Sequence, residues 1–243
     1  MLPIQSDLRS LKNTEKSQWI SRFFKTGEGE YGEGDIFLGI TVPEIRKLTK
    51  KYQNTMDISW VLILLESKYH EERLAWVLIL VIFAEKKIYP IREIAEFYIC
   101  QKQYINNWDL IDSSAPNILW PYISDILTHD ERKKFIDESI ESSDLWTNRM
   151  IILASFYEIK KGNEKMTIYI LENILKQIHH NPSLSHDLIQ KACGWMLREI
   201  GKRIDMDILR RFLDIYKDIL PRTMLRYAIE HLPKEERDFY MGR

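Results

Sequence analysis

Cysteine is nearly missing from this chain: Cys100 and Cys193 are the only two in 243 residues. Two are too few for a disulfide framework or a cysteine-built zinc site. Glycine is sparse as well, nine in all, and four of the nine crowd into GEGEYGEGD, Gly27 to Asp35. Long apolar runs are lacking. The longest, AWVLILVIFA (Ala75 to Ala84), has ten residues, about half of a membrane span. The opening MLPIQSDLRS has no basic leader followed by an apolar run, so no signal peptide is expected. Excess charge of either sign is absent too, with 35 Lys+Arg against 36 Asp+Glu and a formal net charge of −1. No global positive field announces a nucleic-acid partner, so any such partner has to meet a local basic surface. The expectation is a cytoplasmic protein with no membrane partner. Its composition, 45% hydrophobic and 29% charged, is ordinary for a globular chain of this length with a buried core.

Strand-like alternation is almost absent, and helical periodicity takes its place. SQWISRFF (Ser17 to Phe24) belongs to an opening helix. GEGEYGEGD follows; with four acids and no lysine it would repel phosphate, so it reads as a mobile connector. TVPEIRKLTKKY (Thr41 to Tyr52) has Pro43 and Glu44 in its first turn and basic residues towards its end, in keeping with the helix dipole. Further helices are expected over 57–66, 70–85, 90–103, 107–113, 116–127, 130–141, 144–161, 166–178, 185–203, 205–217, 221–231 and 233–240. Stops such as Tyr89-Pro90, Ala115-Pro116 and Leu220-Pro221 separate them. No stretch resembles an interdomain linker, so residues 1–243 read as a single domain. Helical pairs recur at roughly 35 to 45 residues, which favours an all-α solenoid of HEAT-like antiparallel helical pairs with a concave face. A compact irregular bundle is the alternative.

Several residues sit awkwardly in that scheme. Trp108 and Asp112, in INNWDLID, are four apart and share one helix face, about 5–6 Å between Cβ atoms, whereas Asp109 points elsewhere. They are either a core tryptophan with a capping or salt-bridged acid, or part of a site. Arg149 precedes the apolar run MIILASFY, among Leu145, Trp146, Ile152 and Leu153. It must snorkel to the surface or meet an anion, and Asp144 is an unconvincing partner. In QKACGWMLREIGKRI, residues Ile189, Ala192, Cys193, Met196, Leu197 and Ile200 form an apolar side. Lys191, Trp195, Arg198 and Lys202 fall on another stripe. That stripe suits a sugar or base stacked beside phosphates, or simply a tryptophan covering lysine stems. From Lys191 to Arg226 nine Lys/Arg stand against five Asp/Glu, a local surplus of +4. Gly194 in mid-helix marks close approach of another segment. Neither His70-Glu71-Glu72 nor His179, His180 and His186 has metal-ligand spacing, so no metal and no cofactor is expected.

Five ordered segments carry a resemblance. They are FLGITVPEIRKL (Phe37 to Leu48), NNWDLID (Asn106 to Asp112), LWTNRM (Leu145 to Met150), IQKACGWMLREIGK (Ile189 to Lys202) and RTMLRYAIEHLP (Arg222 to Pro233). Together they resemble the AlkD-type DNA alkylation repair glycosylases, a HEAT-like family. The resemblance implies hydrolysis of the N-glycosidic bond of cationic alkylpurines, such as 3-methyladenine and 7-methylguanine, in double-stranded DNA. It implies a cleft in which Asp112 steadies an oxocarbenium-like sugar and positions water between Trp108 and Trp195. Arg149 would meet a backbone phosphate near the lesion, and the basic stripe read from the helical wheel, Lys191, Arg198 and Lys202, is expected to meet further phosphates. It further implies that the base need not be enclosed. Nothing demands more than a monomer. A noncatalytic helical scaffold binding DNA or protein is the competing reading, and it needs no carboxylate among aromatics.

Overall fold

A computed structural model describes residues 1–242, leaving aside the side chains of Ser59 and Trp60. The described residues form fifteen α-helices and one short 3-10 turn, with a single isolated bridge between Ile36 and Tyr69 in place of any sheet. The chain divides into two compact units, Met1–Ile118 and Leu119–Arg243.

The first unit holds α1 (Pro3–Ser10), α2 (Thr14–Ser21), α3 (Val42–Tyr52), α4 (Ile58–Leu65), α5 (His70–Glu85), α6 (Ile91–Cys100) and the start of α7 (Trp108–Asp125). Its centre is α5, where every residue from His70 to Val81 is buried, as is Phe83. The α3 start follows the sequence logic: Thr41 and Glu44 form a capping box, the Thr41 backbone N–H donating to the Glu44 carboxylate at 2.8 Å. Asn13 caps α2 by accepting from the Lys16 backbone N–H at 2.9 Å.

The second unit continues with α8 (His129–Glu141), α9 (Leu145–Ala154), α10 (Phe156–Lys160), α11 (Lys165–Gln177), α12 (Asp187–Arg203), α13 (Met206–Tyr216), α14 (Arg222–Ala228) and α15 (Lys234–Met241). Here α12 is central, and the apolar side expected for it, Ile189 to Ile200, is buried throughout. Gly194 explains how α14 gets so close. A Cβ there would lie 2.4 Å from the Met224 carbonyl oxygen and 2.6 Å from Tyr227 Cβ. Only glycine lets the two backbones meet at that distance.

Four expectations need correction. Helices at 107–113 and 116–127 are one continuous α7, which runs through both Pro116 and Pro121. Each proline costs about 3 kcal/mol or more in a helix interior. Burial of Leu110, Ile111, Ala115, Ile118, Leu119 and Trp120 outweighs that cost. Conversely, 144–161 is broken at Ser155 into α9 and α10, where the Ser155 hydroxyl donates back to the Ile152 carbonyl at 2.7 Å. The opening helix ends at Ser21, and Lys25 takes a left-handed φ of 46° as the chain turns away. The fourth concerns GEGEYGEGD, which is not a simple connector. Glu30 and Glu33 accept backbone N–H bonds from Gly27 and Gly29, and its last residue, Asp35, is fastened inside the first unit. The helix α1 was not anticipated; it seats Ile4 and Leu8 in the core.

Candidate functional site

The first turn of α5 carries four ionisable residues in succession, and all four are buried: His70, Glu71, Glu72 and Arg73. Such groups persist in an interior only when each meets a partner. The His70 ring lies between two carboxylates, with Nδ1 3.1 Å from Asp35 Oδ2 and Nε2 2.8 Å from Asp109 Oδ2. Burial alone would lower its pKa; the charges and hydrogen bonds of Asp109 and Asp35 prevail and raise it to about 9, so the ring is an imidazolium at neutral pH. Asp35 also accepts from Arg73 Nη2 and, at 2.8 Å, from Asn107 Nδ2. Its pKa is depressed: burial opposes the shift, and the bonds to His70 and Asn107 with the charges of Arg73 and His70 overcome it. Glu71 accepts the backbone N–H groups of Leu38 and Gly39 at 2.8 Å and of Ile40 at 3.3 Å. Glu72 accepts from Gln5 Nε2 at 2.7 Å and Arg9 Nε at 2.6 Å.

This network ends at the start of α7. Asn107 is fully buried and its Oδ1 accepts from the Trp108 backbone N–H at 2.9 Å, so one side chain joins Asp35 to the helix that carries Trp108. The Trp108 ring stacks on Phe24, centroids 5.0 Å apart and planes 12° apart, and Phe24 in turn packs against His70 and Phe37. Asp112 follows one turn later on the same face; both residues are half-buried. Burial, joined by the negative charge of Asp112, pushes the Tyr98 phenol far above its usual pKa. Asp109 points away from Asp112's face, as the spacing predicts, and its partner is His70.

In the second unit, Arg149 is buried, only 5% exposed, which removes the snorkelling reading. Its setting is not unpaired. Nη1 donates to the Leu188 carbonyl at 2.5 Å, tying α9 to the first turn of α12. Asp144 caps α9 by accepting from the Thr147 backbone N–H at 2.9 Å. Arg149 also lies close enough to Cys193 to ease that thiol's ionisation, though burial dominates and holds the thiol up at about 12. Trp195 is half-buried on α12, 5.7 Å from the Phe156 ring, and its indole N–H donates to Glu199 at 3.2 Å.

The basic stripe is less free than its composition implies. Lys191 pairs with Asp187 at 2.6 Å and Arg198 with Glu230, while Lys202 is exposed. The residue that sequence reasoning missed is Glu199, buried, taking Trp195 on one side and Arg203 at 2.6 Å on the other. Its place one turn after Trp195 was a readable signal. Burial would raise its pKa, and the bonds from Arg203 and Trp195 lower it.

A family model described as DNA alkylation repair enzyme matches residues 4–232. A solved structure, a predicted DNA alkylation repair enzyme from Enterococcus faecalis, is similar in fold with a TM-score of 0.67. It is 17% identical, and the match covers 92% of this chain and 97% of that one. No curated protein matches. Among the described residues no helix is long and apolar enough to cross a membrane. With nearly its whole length matched, the chain belongs to the DNA alkylation repair enzyme family.

Proposed function

We propose that the protein is a DNA glycosylase that releases positively charged alkylpurines from double-stranded DNA. The observation that carries this reading is the pair Trp108 and Asp112, one turn apart on α7 and both reachable from solvent, in a chain of an alkylation repair family.

The chemistry asks little of the protein. Glycoside hydrolysis ordinarily needs an acid to protonate the leaving group. A purine alkylated at N3 or N7 already carries the positive charge, so the C1′–N bond breaks with its electron pair going to the base, which departs neutral. What remains is a sugar cation and a water molecule. The Asp112 carboxylate stabilises the cation and orients water towards C1′, and the proton that water sheds on attack passes to that carboxylate or to solvent. The face of Trp108 adds cation–π stabilisation to the developing charge, and the family resemblance assigns Trp195 the same role. Arg149, its guanidinium fixed by the Leu188 carbonyl, supplies positive charge to a backbone phosphate near the lesion. Lys191, Arg198 and Lys202 contribute further phosphate contacts. The exposed ion pair of Lys191 is worth little and exchanges readily for phosphate.

The test is release of 7-methylguanine from methylated duplex DNA by wild type and Asp112→Asn. Wild type releases the base and the variant does not, while the variant still binds DNA. A wild type that binds DNA and releases nothing would make the protein a noncatalytic scaffold. Arg149→Ala is expected to weaken DNA binding and flatten its salt dependence by about one phosphate contact. An unchanged salt slope removes its phosphate role.

A further inference from the structure

The last two helices of the second unit enclose an open groove of about 450 Å³. Its walls are Arg226, Ile229 and Glu230, at and just past the end of α14, and Lys234, Arg237, Asp238 and Met241 on α15. Arg222 holds the walls together: its Nη1 donates to the Met241 carbonyl at 3.0 Å, fastening the start of α14 to the end of α15. Every described arginine of the second unit gives a side-chain N–H to an acceptor except Arg211, Arg226 and Arg237. Two of those three line the groove, and both are exposed. The two carboxylates there do not answer them. Glu230 is paired with Arg198, outside the groove, and Asp238 with Lys234 at 2.7 Å. Compensation of the helix dipole accounts for Arg226, in the last turn of α14, but not for Arg237 within α15.

Two unanswered guanidinium groups in one concavity select an anion, and their planar forks match the oxygens of a phosphate. No aromatic ring lines the groove, so a base finds nothing there to stack on. The ligand is therefore recognised by its phosphate alone. Glu230 locates the groove with respect to the basic stripe of α12. Because it bonds Arg198, the groove adjoins the stripe of Trp195, Arg198 and Lys202 across a single ion pair. We propose that the groove receives a backbone phosphate of the DNA, carrying the contact surface of the second unit beyond α12 onto α14 and α15. This rests on the glycosylase reading for the identity of the nucleic acid. A contact of this kind reads no sequence; it adds affinity and sets the register of the duplex. The exposed Lys234–Asp238 pair is worth little, which leaves Lys234 free to turn to the same phosphate.

The experiment measures binding of a short undamaged duplex to the full-length protein across a range of salt concentrations, by fluorescence anisotropy. It compares wild type with the double variant Arg226→Gln/Arg237→Gln and with Arg211→Gln. The double variant is expected to bind about tenfold more weakly at low salt. Its plot of log affinity against log salt is expected to be shallower by about one phosphate contact. Arg211→Gln removes an equally unbonded arginine outside the groove and is expected to leave the slope unchanged. None of the three side chains bonds anything in the fold, so the variants stay folded, which circular dichroism checks. An unchanged slope in the double variant, or an equal change from Arg211→Gln, overturns the proposal. So does polyglutamate that binds as tightly as the duplex and loses its hold in the double variant, an outcome that assigns the groove to an acidic protein. The two readings fail separately. Release of 7-methylguanine by wild type with no change of slope in the double variant removes the groove and leaves the glycosylase. A change of slope without release by wild type leaves the groove as part of a noncatalytic DNA-binding surface.

Discussion

Replacing His70 by glutamine tests the buried network at its most loaded point. In the wild type the imidazolium answers two carboxylates at once, Asp35 at 3.1 Å and Asp109 at 2.8 Å. Glutamine keeps hydrogen-bonding atoms but no charge, leaving Asp109 without its cation. Breaking a buried ion pair by removing one partner costs about 3–5 kcal/mol. The pH dependence is the sharper signature. Burial disfavours the charged ring, but Asp109 and Asp35 raise its pKa from 6.5 to about 9 in the folded chain. Because the folded form holds the proton more tightly, the contribution is fully present below the unfolded pKa. It declines as pH rises from there and is gone above the folded value. A shift of that size corresponds to about 3 kcal/mol. The assay is urea unfolding of wild type and His70→Gln across neutral and alkaline pH. The wild type is expected to lose its advantage over the variant between pH 6.5 and about 9. Parallel pH profiles for the two proteins would show that His70 is neutral in the fold and that its carboxylates are held in some other way.

Two further outcomes follow from single contacts. Glu71→Gln replaces one oxygen with a donor that faces the backbone N–H groups of Leu38, Gly39 and Ile40. The expected cost is roughly 3 kcal/mol, with faster proteolytic cleavage in the segment before α3; unchanged cleavage would show that the segment is held without it. Gly194→Ala tests the α12–α14 approach. Helix propensity alone favours alanine by about 1 kcal/mol, but the new Cβ would meet the Met224 carbonyl oxygen at 2.4 Å. Overpacking of this kind costs about 1–3 kcal/mol, so melting temperature is expected to fall, and a rise would mean that the helices separate freely.

Much of the fold was legible because α5 and α12 state their burial in plain periodicity. Leu74 to Ala84 is apolar all round and lies at the centre of its unit; the Ile189 to Ile200 side is buried as its wheel predicts. The failures share a cause. Pro116 and Pro121 are local stop signals, and Ser155 is not, yet α7 runs on through the prolines and the helix before Ser155 ends there. Local propensity is worth a few kcal/mol at most, and tertiary burial along α7 exceeds it. Residue pairs on one helix, such as Trp108 with Asp112, or Trp195 with Glu199, follow from spacing alone. Contacts of Arg149 with Leu188, or of His70 with Asp35 and Asp109, join residues 35 to 39 apart and are invisible to any local pattern.

One clue to the buried network was nevertheless present. A helix apolar around its whole circumference has no solvent face at its first turn either. His70, Glu71, Glu72 and Arg73 open such a helix, so wherever they point they are buried and must find partners. Successive helical residues point about 100° apart, and four in a row sweep the whole circle. Their partners are correspondingly scattered. His70 reaches Asp35 and the first turn of α7, Glu71 the backbone of residues 38–40, Glu72 α1 through Gln5 and Arg9, and Arg73 Asp35 and the Ser67 carbonyl. This turn therefore fastens three separate parts of the first unit. It also explains why the acidic glycine-rich stretch ends in Asp35: the acid that would repel phosphate is consumed inside, where Arg73 and His70 wait for it. Because Asn107 links that same aspartate to the backbone of Trp108, the placement of the tryptophan depends on charges drawn from three separate stretches of sequence.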